Sequence, residues 1–329
     1  MKNYEYYFGV DVSKKTVDIT LVKASTQEHR KFDNNESGMQ DLTQWFKDLN
    51  LNTSTTLFCM EPTGLYCFPL TKFLAENNID IWIEHAAKIK KSTALERGKN
   101  DKVDSRRIAM YAVKNLDRLC LWKPLDSTIE KIKNLASLRE RMVETKKKLM
   151  NPIKELEDMG NLEMSKLLLK SIKHSLAAID KDLINVEAKI IEIVNGDENL
   201  KTLYKLITSV VGIGFVTAVN LIIYTKGFTI LNDTRKLACY CGVAPFEYKS
   251  GTSIKGKTKV HFMANKKLKC NLHMASLTAI KSDAEIKAYY ERKVAEGKNK
   301  MSVLNAVRNK LLARVVAVVK NQTEYVKAA

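Results

Sequence analysis

Four acidic residues have the types and spacing of a metal site. Asp11 lies on the first predicted strand, and Glu61 directly follows the fourth. Asp101 and Asp104 are three residues apart at the start of a predicted helix, so their carboxylates share one helical face. If the two strands are neighbours, all four carboxylates point to one place. They could not all ionise there without cations, and Mg²⁺ takes oxygen ligands in sites that cleave or transfer phosphodiesters.

Each of these carboxylates alone also has an ordinary structural explanation. Asp11 could form a turn at a strand end, and Glu61 could be a surface residue. Asp101 could cap a helix whose dipole also favours Asp104. The local sequence around the four acids, described below, favours the metal site.

The elements that would position these acids are predicted over residues 1–125. Strands are predicted at 6–12, 17–22, 29–32, 55–60 and 79–83, and helices at 37–49, with Ser37 in a capping box, at 65–77 and at 105–114. Three antiparallel strands followed by strand–helix units predict an α/β domain, a mixed sheet with helices on its faces.

The remainder of the chain is predicted to be mostly helical. Over residues 126–200, apolar residues recur every three or four positions, which predicts an antiparallel helical hairpin or coiled coil. We expect it to break near Asn151–Pro152 or Gly160–Asn161, and it could oligomerise the protein. Residues 201–329 follow as a small basic domain with a final amphipathic helix at 303–320. The sequence therefore predicts three domains, 1–125, 126–200 and 201–329.

Composition excludes several classes of protein. With 329 residues, 45% of them hydrophobic and 28% charged, the chain can bury a substantial core, so neither disorder nor a small disulfide scaffold is expected. The six cysteines form no CxxC pair, and the five histidines have no metal-site spacing. We expect no membrane span and no signal peptide, and hence a cytoplasmic protein.

The positive charge is concentrated at the C-terminal end. The whole chain has 55 basic and 37 acidic residues, a net charge of +18. Residues 201–329 hold 23 of the basic and 7 of the acidic residues, which gives +16. This asymmetry predicts a polyanionic partner, with nucleic acid as the leading candidate, because each Lys or Arg on a phosphate releases condensed counterions. The alternative is a solvated basic surface.

Three segments around the acids resemble a known family. They read Gly-Val-Asp-Val-Ser-Lys at 9–14, Glu-Pro-Thr-Gly at 61–64 and Lys-Asn-Asp-Lys-Val-Asp-Ser at 99–105. They are similar to the acidic motifs of the RuvC-like transposases of bacterial insertion sequences, the insertion-sequence 110 and 1111 group, and the resemblance covers essentially the whole chain in motif order.

This resemblance implies an RNase H-like, RuvC-like N-terminal domain, a coiled coil and a mostly helical C-terminal transposase domain that supplies a serine. It also implies that the carboxylates bind Mg²⁺ or Mn²⁺ as a catalytic DEDD set, namely Asp11, Glu61, Asp101 and Asp104. Asn100 and Ser105 stand where the family has Thr and Ala, but neither is a ligand.

The segment 242–251 resembles the C-terminal signature of the same family. The resemblance makes Ser250 the nucleophile, with Ser253 and Thr252 as lesser candidates. By spacing alone, Ser-Gly in a loop is more typical of a turn. A serine hydroxyl is also a poor nucleophile without a nearby base or metal.

Two further features are typical of phosphate contacts. Gly212 and Gly214 lie between apolar helices, in a turn similar to a helix-hairpin-helix, and the alternative is tight helix packing. A basic run could contact nucleic acid or be a solvated loop: Lys255, Lys257, Lys259, Lys266, Lys267 and Lys269. Met263-Ala264-Asn265 departs from the family pattern, and Lys269 stands in place of Arg. The exact phosphate contacts therefore stay open, since Lys cannot bind phosphate bidentately.

The resemblance implies a transposase or recombinase that cuts and rejoins DNA at element ends and target sites. It further implies guidance by a noncoding bridge RNA and a homo-oligomer, dimeric or tetrameric, in which Ser250 of one subunit acts with the carboxylates of another. One alternative is a metal-dependent, structure-specific endonuclease that uses water. Another is a non-catalytic nucleic-acid-binding protein. The residues alone do not identify the target DNA, the guide RNA, the exact oligomer, or whether Ser250 acts in cis.

Overall fold

The computed structural model describes residues 2–24, 26–92, 100–250 and 254–326. The chain divides into two compact units, Met1–Pro124 and Leu125–Ala329. Each has its own hydrophobic core. Among the helices that the structure describes, none is both long enough and apolar enough to cross a membrane.

A five-stranded mixed sheet forms the centre of the first unit. Its strands are β1 (Tyr6–Val12), β2 (Thr16–Lys23), β3 (Thr26–Asp33), β4 (Thr56–Met60) and β5 (Asp80–Ile83). Their order is β3-β2-β1-β4-β5, with β1 antiparallel to β2 and parallel to β4. The mixed sheet predicted from the sequence is thus confirmed, and it is consistent with a RuvC-like domain.

Helices cover both faces of this sheet. They are α1 (Glu36–Asp48), α2 (Phe68–Glu76), α3 (Ala86–Ser92) and α4 (Asp101–Lys114). Side chains alternate along β4, which lies between β1 and β5 in the sheet. Phe58 and Met60 therefore pack into one hydrophobic cluster with Trp45 of α1, while Leu57 packs into another with Tyr111 of α4. Every residue of β4 is buried as a result.

The start of α1 differs from the prediction that Ser37 caps it. The N-cap is Asn35, whose side chain accepts a hydrogen bond from the backbone N–H of Gly38 at 3.1 Å. Asn35 has an extended backbone and a side-chain oxygen able to reach that N–H, the geometry that an N-cap requires. Ser37 therefore lies inside the helix.

Two long helices, α5 (Ser127–Asp158) and α6 (Leu162–Asn195), form an antiparallel hairpin in the second unit. The predicted break at Gly160–Asn161 is confirmed, because Gly160 adopts a positive φ of 80° and Asn161 caps α6. The alternative break at Asn151–Pro152 is wrong, since α5 continues through Pro152. Packing along α6 offsets the hydrogen bond that proline removes.

The remaining elements of the second unit are mostly helical. They are α7 (Glu198–Ser209), α8 (Phe215–Thr225), α9 (Thr234–Tyr240), β6 (Phe246–Ser250), β7 (Ile254–Lys259), α10 (Lys266–Ser282), α11 (Ala284–Ala295) and α12 (Lys300–Asn321). Strands β6 and β7 form an antiparallel pair. The core includes Leu221, Leu272 and Leu311, together with Ile132 and Ile190 from the base of the hairpin. The hairpin base and the C-terminal helices therefore share one core.

Candidate active site and nucleic-acid interface

Parallel pairing of β1 and β4 places two of the predicted site residues at one edge of the sheet. Val10 lies opposite Met60 in this pairing, so the next residues along the two strands are Asp11 and Glu61. Both side chains are half-buried. The strand adjacency on which the sequence argument depended is confirmed.

Helix α4 approaches the same strand unusually closely, and Gly9 makes that approach possible. A Cβ atom at Gly9 would lie 2.1 Å from the carbonyl oxygen of Ser105 and 2.1 Å from the backbone nitrogen of Ala109. The side chains of Ser105 and Thr20 share a buried hydrogen bond of 2.8 Å, which also ties α4 to β2. This packing brings the first turn of α4 toward Asp11.

The first turn of α4 carries Asp101 and Asp104, but neither caps the helix. Asn100 is the N-cap, and its side chain accepts a hydrogen bond from the N–H of Val103 at 2.8 Å. The interpretation of Asp101 as a capping residue is therefore wrong. Asn100 and Ser105, the two positions that depart from the family pattern, both have structural roles in this protein.

The four carboxylates affect one another electrostatically. Burial, together with the negative charges of Asp101, Asp104 and Glu61, raises the pKa of Asp11 to about 6. Burial also raises the pKa of Glu61, with Asp104 contributing, while Lys90 and His85 oppose the shift. The fold therefore brings the other three predicted acids close enough to Asp11 to affect its charge.

These acids do not form a closed metal cage in the structure. Asp104 accepts a hydrogen bond from Arg107 at 3.1 Å. Over the part of the chain that the structure describes, no three Asp, Glu, His or Cys side chains converge closely enough to hold a metal ion. The donor set nevertheless fits Mg²⁺ or Mn²⁺, because all four are carboxylates and a divalent cation relieves the repulsion around Asp11.

Sequence reasoning missed a fifth acid beside this group. Asp18 of β2 lies opposite Asp11 and is only 5% exposed. Its carboxylate accepts a hydrogen bond from Nε2 of His29 at 3.0 Å and forms an ion pair with Lys31 at 3.3 Å. The sequence signal that could have identified Asp18 is an acidic residue within the mostly apolar run that forms β2.

The close approach of α4 to β1 predicts that a larger residue at position 9 destabilises the first unit. Gly9→Ala is expected to lower the free energy of unfolding of the first unit by about 3 kcal/mol, because the added methyl collides with backbone atoms that cannot rotate away. The corresponding thermal transition should fall by about 10 °C. Gly196→Ala is the matched control, since its nearest new contacts are at 3.5 Å. Equal melting temperatures for Gly9→Ala and the wild type would contradict this account of how α4 is held.

Ser250 is the last residue of β6, and its backbone pairs with Ile254 of β7. The two lesser candidates, Thr252 and Ser253, lie outside the described residues. The backbone leading into β6 is anchored, because Nδ2 of Asn305 in α12 donates a hydrogen bond to the carbonyl oxygen of Val243 at 2.7 Å.

The glycines of the predicted helix-hairpin-helix turn have different environments. Gly212 adopts a φ of +94°, and a Cβ there would lie 2.5 Å from the carbonyl oxygen of Ala275. It therefore permits close packing of α10, which was the alternative explanation. Gly214, at the start of α8, faces open space, so the N-terminus of that helix is accessible at this point.

The six lysines of the predicted basic run are not equivalent. Lys259 and Lys266 are exposed, and Lys269 is half-buried. Lys267 donates a hydrogen bond to Glu140 at 2.6 Å, so its charge is already compensated. The other two, Lys255 and Lys257, lie on β7.

Asn265, in the segment that departs from the family pattern, has a clear structural role. Its side chain caps α10, and its backbone N–H donates a hydrogen bond to the carbonyl oxygen of Tyr240 at 2.7 Å. It therefore ties the start of α10 to the end of α9.

The sequence patterns also did not predict that an arginine is buried in the second unit. Arg308 of α12 is 5% exposed and donates hydrogen bonds to Nδ1 of His273 at 2.7 Å and to Oδ1 of Asn305 at 3.4 Å. No acidic side chain in the described ranges pairs with it. Burial lowers the pKa of Arg308 and also that of His273, where the nearby guanidinium adds to the effect. The sequence signal that could have identified Arg308 is a single basic residue on the apolar face of the final helix.

Comparison with known proteins identifies the family of the chain. A family model of the IS110 DEDD type, described as "Transposase", matches residues 8–157, which include all four carboxylates. A second model, described as "Transposase IS116/IS110/IS902 family", matches residues 204–291, which include Ser250. The two matches leave all of α6 between them.

Curated relatives give the same result. The pilin gene-inverting proteins of Moraxella bovis and Moraxella lacunata are each 26% identical to this chain over 325 residues, which is 98% of both sequences. An uncharacterized 43.6 kDa protein of the insertion element IS110 from Streptomyces coelicolor is 27% identical over 159 residues, 48% of this chain and 38% of that protein. The chain belongs to the IS110 family of DEDD transposases and is a DNA-recombining enzyme.

Proposed function

We propose that this transposase cuts and rejoins DNA strands with Ser250 as a covalent nucleophile and a divalent metal held by Asp11, Glu61, Asp101 and Asp104. The observation that carries the metal site is the gathering of three negative carboxylates around the half-buried Asp11. The test is cleavage of DNA carrying an element end, with Mg²⁺ or Mn²⁺ and then with excess chelator. Full cleavage in chelator would refute the metal site.

In the proposed reaction the serine oxygen attacks the scissile phosphorus. The bond from phosphorus to the leaving deoxyribose oxygen breaks, that oxygen takes up a proton, and the serine proton passes to a base. A deoxyribose hydroxyl of the other DNA partner then attacks the phosphoserine ester, which restores Ser250 and joins the new strand. When bound, the metal ion would polarise the phosphate and stabilise charge on its oxygens. The free energy of the broken phosphodiester bond is retained in the phosphoserine ester. Rejoining therefore requires no external energy source.

The proposed partners are the DNA of the element ends and target and a noncoding bridge RNA. The charge of +16 over residues 201–329 supports a polyanionic partner, and the exposed Lys259 and Lys266 would contribute to that surface. RNA that copurifies with the protein, identified by sequencing, tests the guide. Since the proposed substrate is the DNA of a bacterial cell, we place the enzyme in the cytoplasm.

We further propose a dimer or tetramer joined by a coiled coil between hairpins. Apolar side chains along the α5–α6 hairpin support it, because within one chain they are largely exposed. Met159 is 80% exposed, Leu167 is 57% exposed and Ile184 is 68% exposed. Contact with the hairpin of a second copy would remove these side chains from water.

Sharing of one active site between subunits is tested by mixing two inactive variants. Asp11→Asn and Ser250→Ala subunits, co-assembled, are expected to regain part of the strand-transfer activity, because some sites then combine intact carboxylates with an intact serine. Each variant alone is the control, and pull-down verifies co-assembly. Persistent inactivity of a verified mixture would show that each serine acts with the carboxylates of its own chain.

The second candidate function is a metal-dependent endonuclease that uses water. The observation that favours it is the location of all four carboxylates in the first unit, whereas Ser250 belongs to the second. A water nucleophile would need no group from the second unit. The covalent adduct considered in the Discussion separates the two mechanisms.

A further inference from the structure

A cavity of about 240 Å³ lies within the second unit, between α5, α6, α8 and α10. Val143, Ile190, Val219 and the ring of Phe215 contribute apolar walls. Asn220 and Asn271 also line the cavity. The proposed transposition chemistry does not use this space, which is lined neither by the four acids of the predicted site nor by Ser250.

The two asparagines leave one acceptor and one donor unsatisfied. Asn220 is only 3% exposed, and its Nδ2 donates a hydrogen bond to the carbonyl oxygen of Val216 at 2.8 Å, which orients the amide. Its Oδ1 is buried and has no hydrogen-bond partner among the described residues, and the same holds for Nδ2 of Asn271. A buried polar atom without a partner is costly, so a ligand that reached either amide would recover a hydrogen bond.

Cationic and aromatic groups add to the lining. The guanidinium of Arg139 lies 6.0 Å from the ring centroid of Phe215 and forms an ion pair with Glu187 at 2.6 Å. Lys147, which also lines the cavity, is exposed and pairs with no acid among the residues that the structure describes. Glu144 and Glu140, which is paired with Lys267, line it as well, so the site combines apolar walls, an aromatic ring, unsatisfied amides and charged side chains of both signs.

We propose that this cavity binds one unstacked nucleobase of a nucleic-acid strand, with the adjoining phosphate near Lys147. A base is flat and apolar on its faces and carries donors and acceptors on its edge, which matches the walls and the two amides. A phosphate alone would not use the apolar walls, and a hydrocarbon would leave both amides unsatisfied. The volume is below the range of about 300–1,000 Å³ typical of pockets for drug-sized ligands, which favours a single base.

The base can come from DNA or from RNA, and the inference rests on the proposed function only in requiring that the protein bind a nucleic-acid strand. The probes are three fluorescein-labelled single strands of 12 nucleotides: a mixed-sequence DNA, an abasic DNA of equal length and charge, and an RNA of the same sequence as the first. Fluorescence anisotropy in chelator measures their affinities without cleavage. The wild type is expected to bind the base-bearing DNA or RNA about tenfold more tightly than the abasic strand. Whichever of the base-bearing DNA and the RNA binds more tightly identifies the source of the base.

Asn220→Leu removes the unsatisfied acceptor with little change in size. It should lower the affinity for base-bearing strands to that of the abasic strand, leave abasic binding unchanged, and not lower the melting temperature. Asn195→Leu, at an exposed position of α6, is the matched control and should bind like the wild type. If Asn220→Leu fails to fold, Val143→Phe, which fills the cavity from α5, should cause the same selective loss.

Equal binding of base-bearing and abasic strands by the wild type would overturn the base site while leaving the proposed function intact. Unchanged base preference in Asn220→Leu would overturn it as well, because the amides would then be merely hydrated. An equal loss of affinity for all strands in both cavity variants would also count against it. Failure of the wild type to bind any strand would refute the proposed nucleic-acid partners themselves.

Discussion

Asp11→Asn is expected to lower metal-dependent DNA cleavage about a thousandfold, because it removes a negative ligand whose metal ion supplies several kcal/mol of transition-state stabilisation. The amide keeps the size of the side chain, so the fold should be retained. Binding of DNA should be largely unchanged, since the positive charge lies in residues 201–329. Cleavage of element-end DNA and gel-shift binding measure the two effects separately.

A thermal measurement checks the same site without relying on activity. Mg²⁺ or Mn²⁺ should raise the melting temperature of the wild type but not that of Asp11→Asn, because a ligand stabilises only a fold that binds it. In chelator, Asp11→Asn should melt at or above the wild-type temperature, since the charge repelled by Asp101, Asp104 and Glu61 is gone. Asp41→Asn, at an exposed position of α1, is the control and should behave like the wild type in all assays. Wild-type cleavage by Asp11→Asn would exclude Asp11 as a metal ligand.

Ser250→Ala is expected to abolish both strand transfer and a covalent protein–DNA adduct. The attacking oxygen is lost, whereas the carboxylates in the first unit are unaffected. Reactions stopped with denaturant and run on a denaturing gel should show labelled DNA migrating with the wild-type protein. Ser253→Ala is the control and should retain the adduct.

The outcomes of this experiment separate the two proposed mechanisms. An adduct that survives Ser250→Ala would move the nucleophile to a neighbouring residue. Cleavage that persists in Ser250→Ala, with no adduct in the wild type, would favour the endonuclease that uses water. Absence of both adduct and metal-dependent cleavage in the wild type would contradict both mechanisms.

Local patterns in the sequence were enough to predict most of the secondary structure. Strands β1, β2 and β4 lie close to their predicted positions, because buried strands leave a clear apolar signature. Helices α5 and α6 were predicted from apolar spacing of three and four. Pro152 was misinterpreted because local propensity disfavours proline within a helix, whereas packing against α6 permits it.

The sequence by itself determined the identity of the acids, the family motifs and the concentration of charge, since these depend only on residue type and order. Only the tertiary structure decided that β1 pairs in parallel with β4, which brings Asp11 level with Glu61, and that Gly9 admits α4 beside them. It also revealed the partners of Asp18 and the unsatisfied amide of Asn220. These features arise from contacts between residues far apart in the chain, and local periodicity carries no information about such contacts.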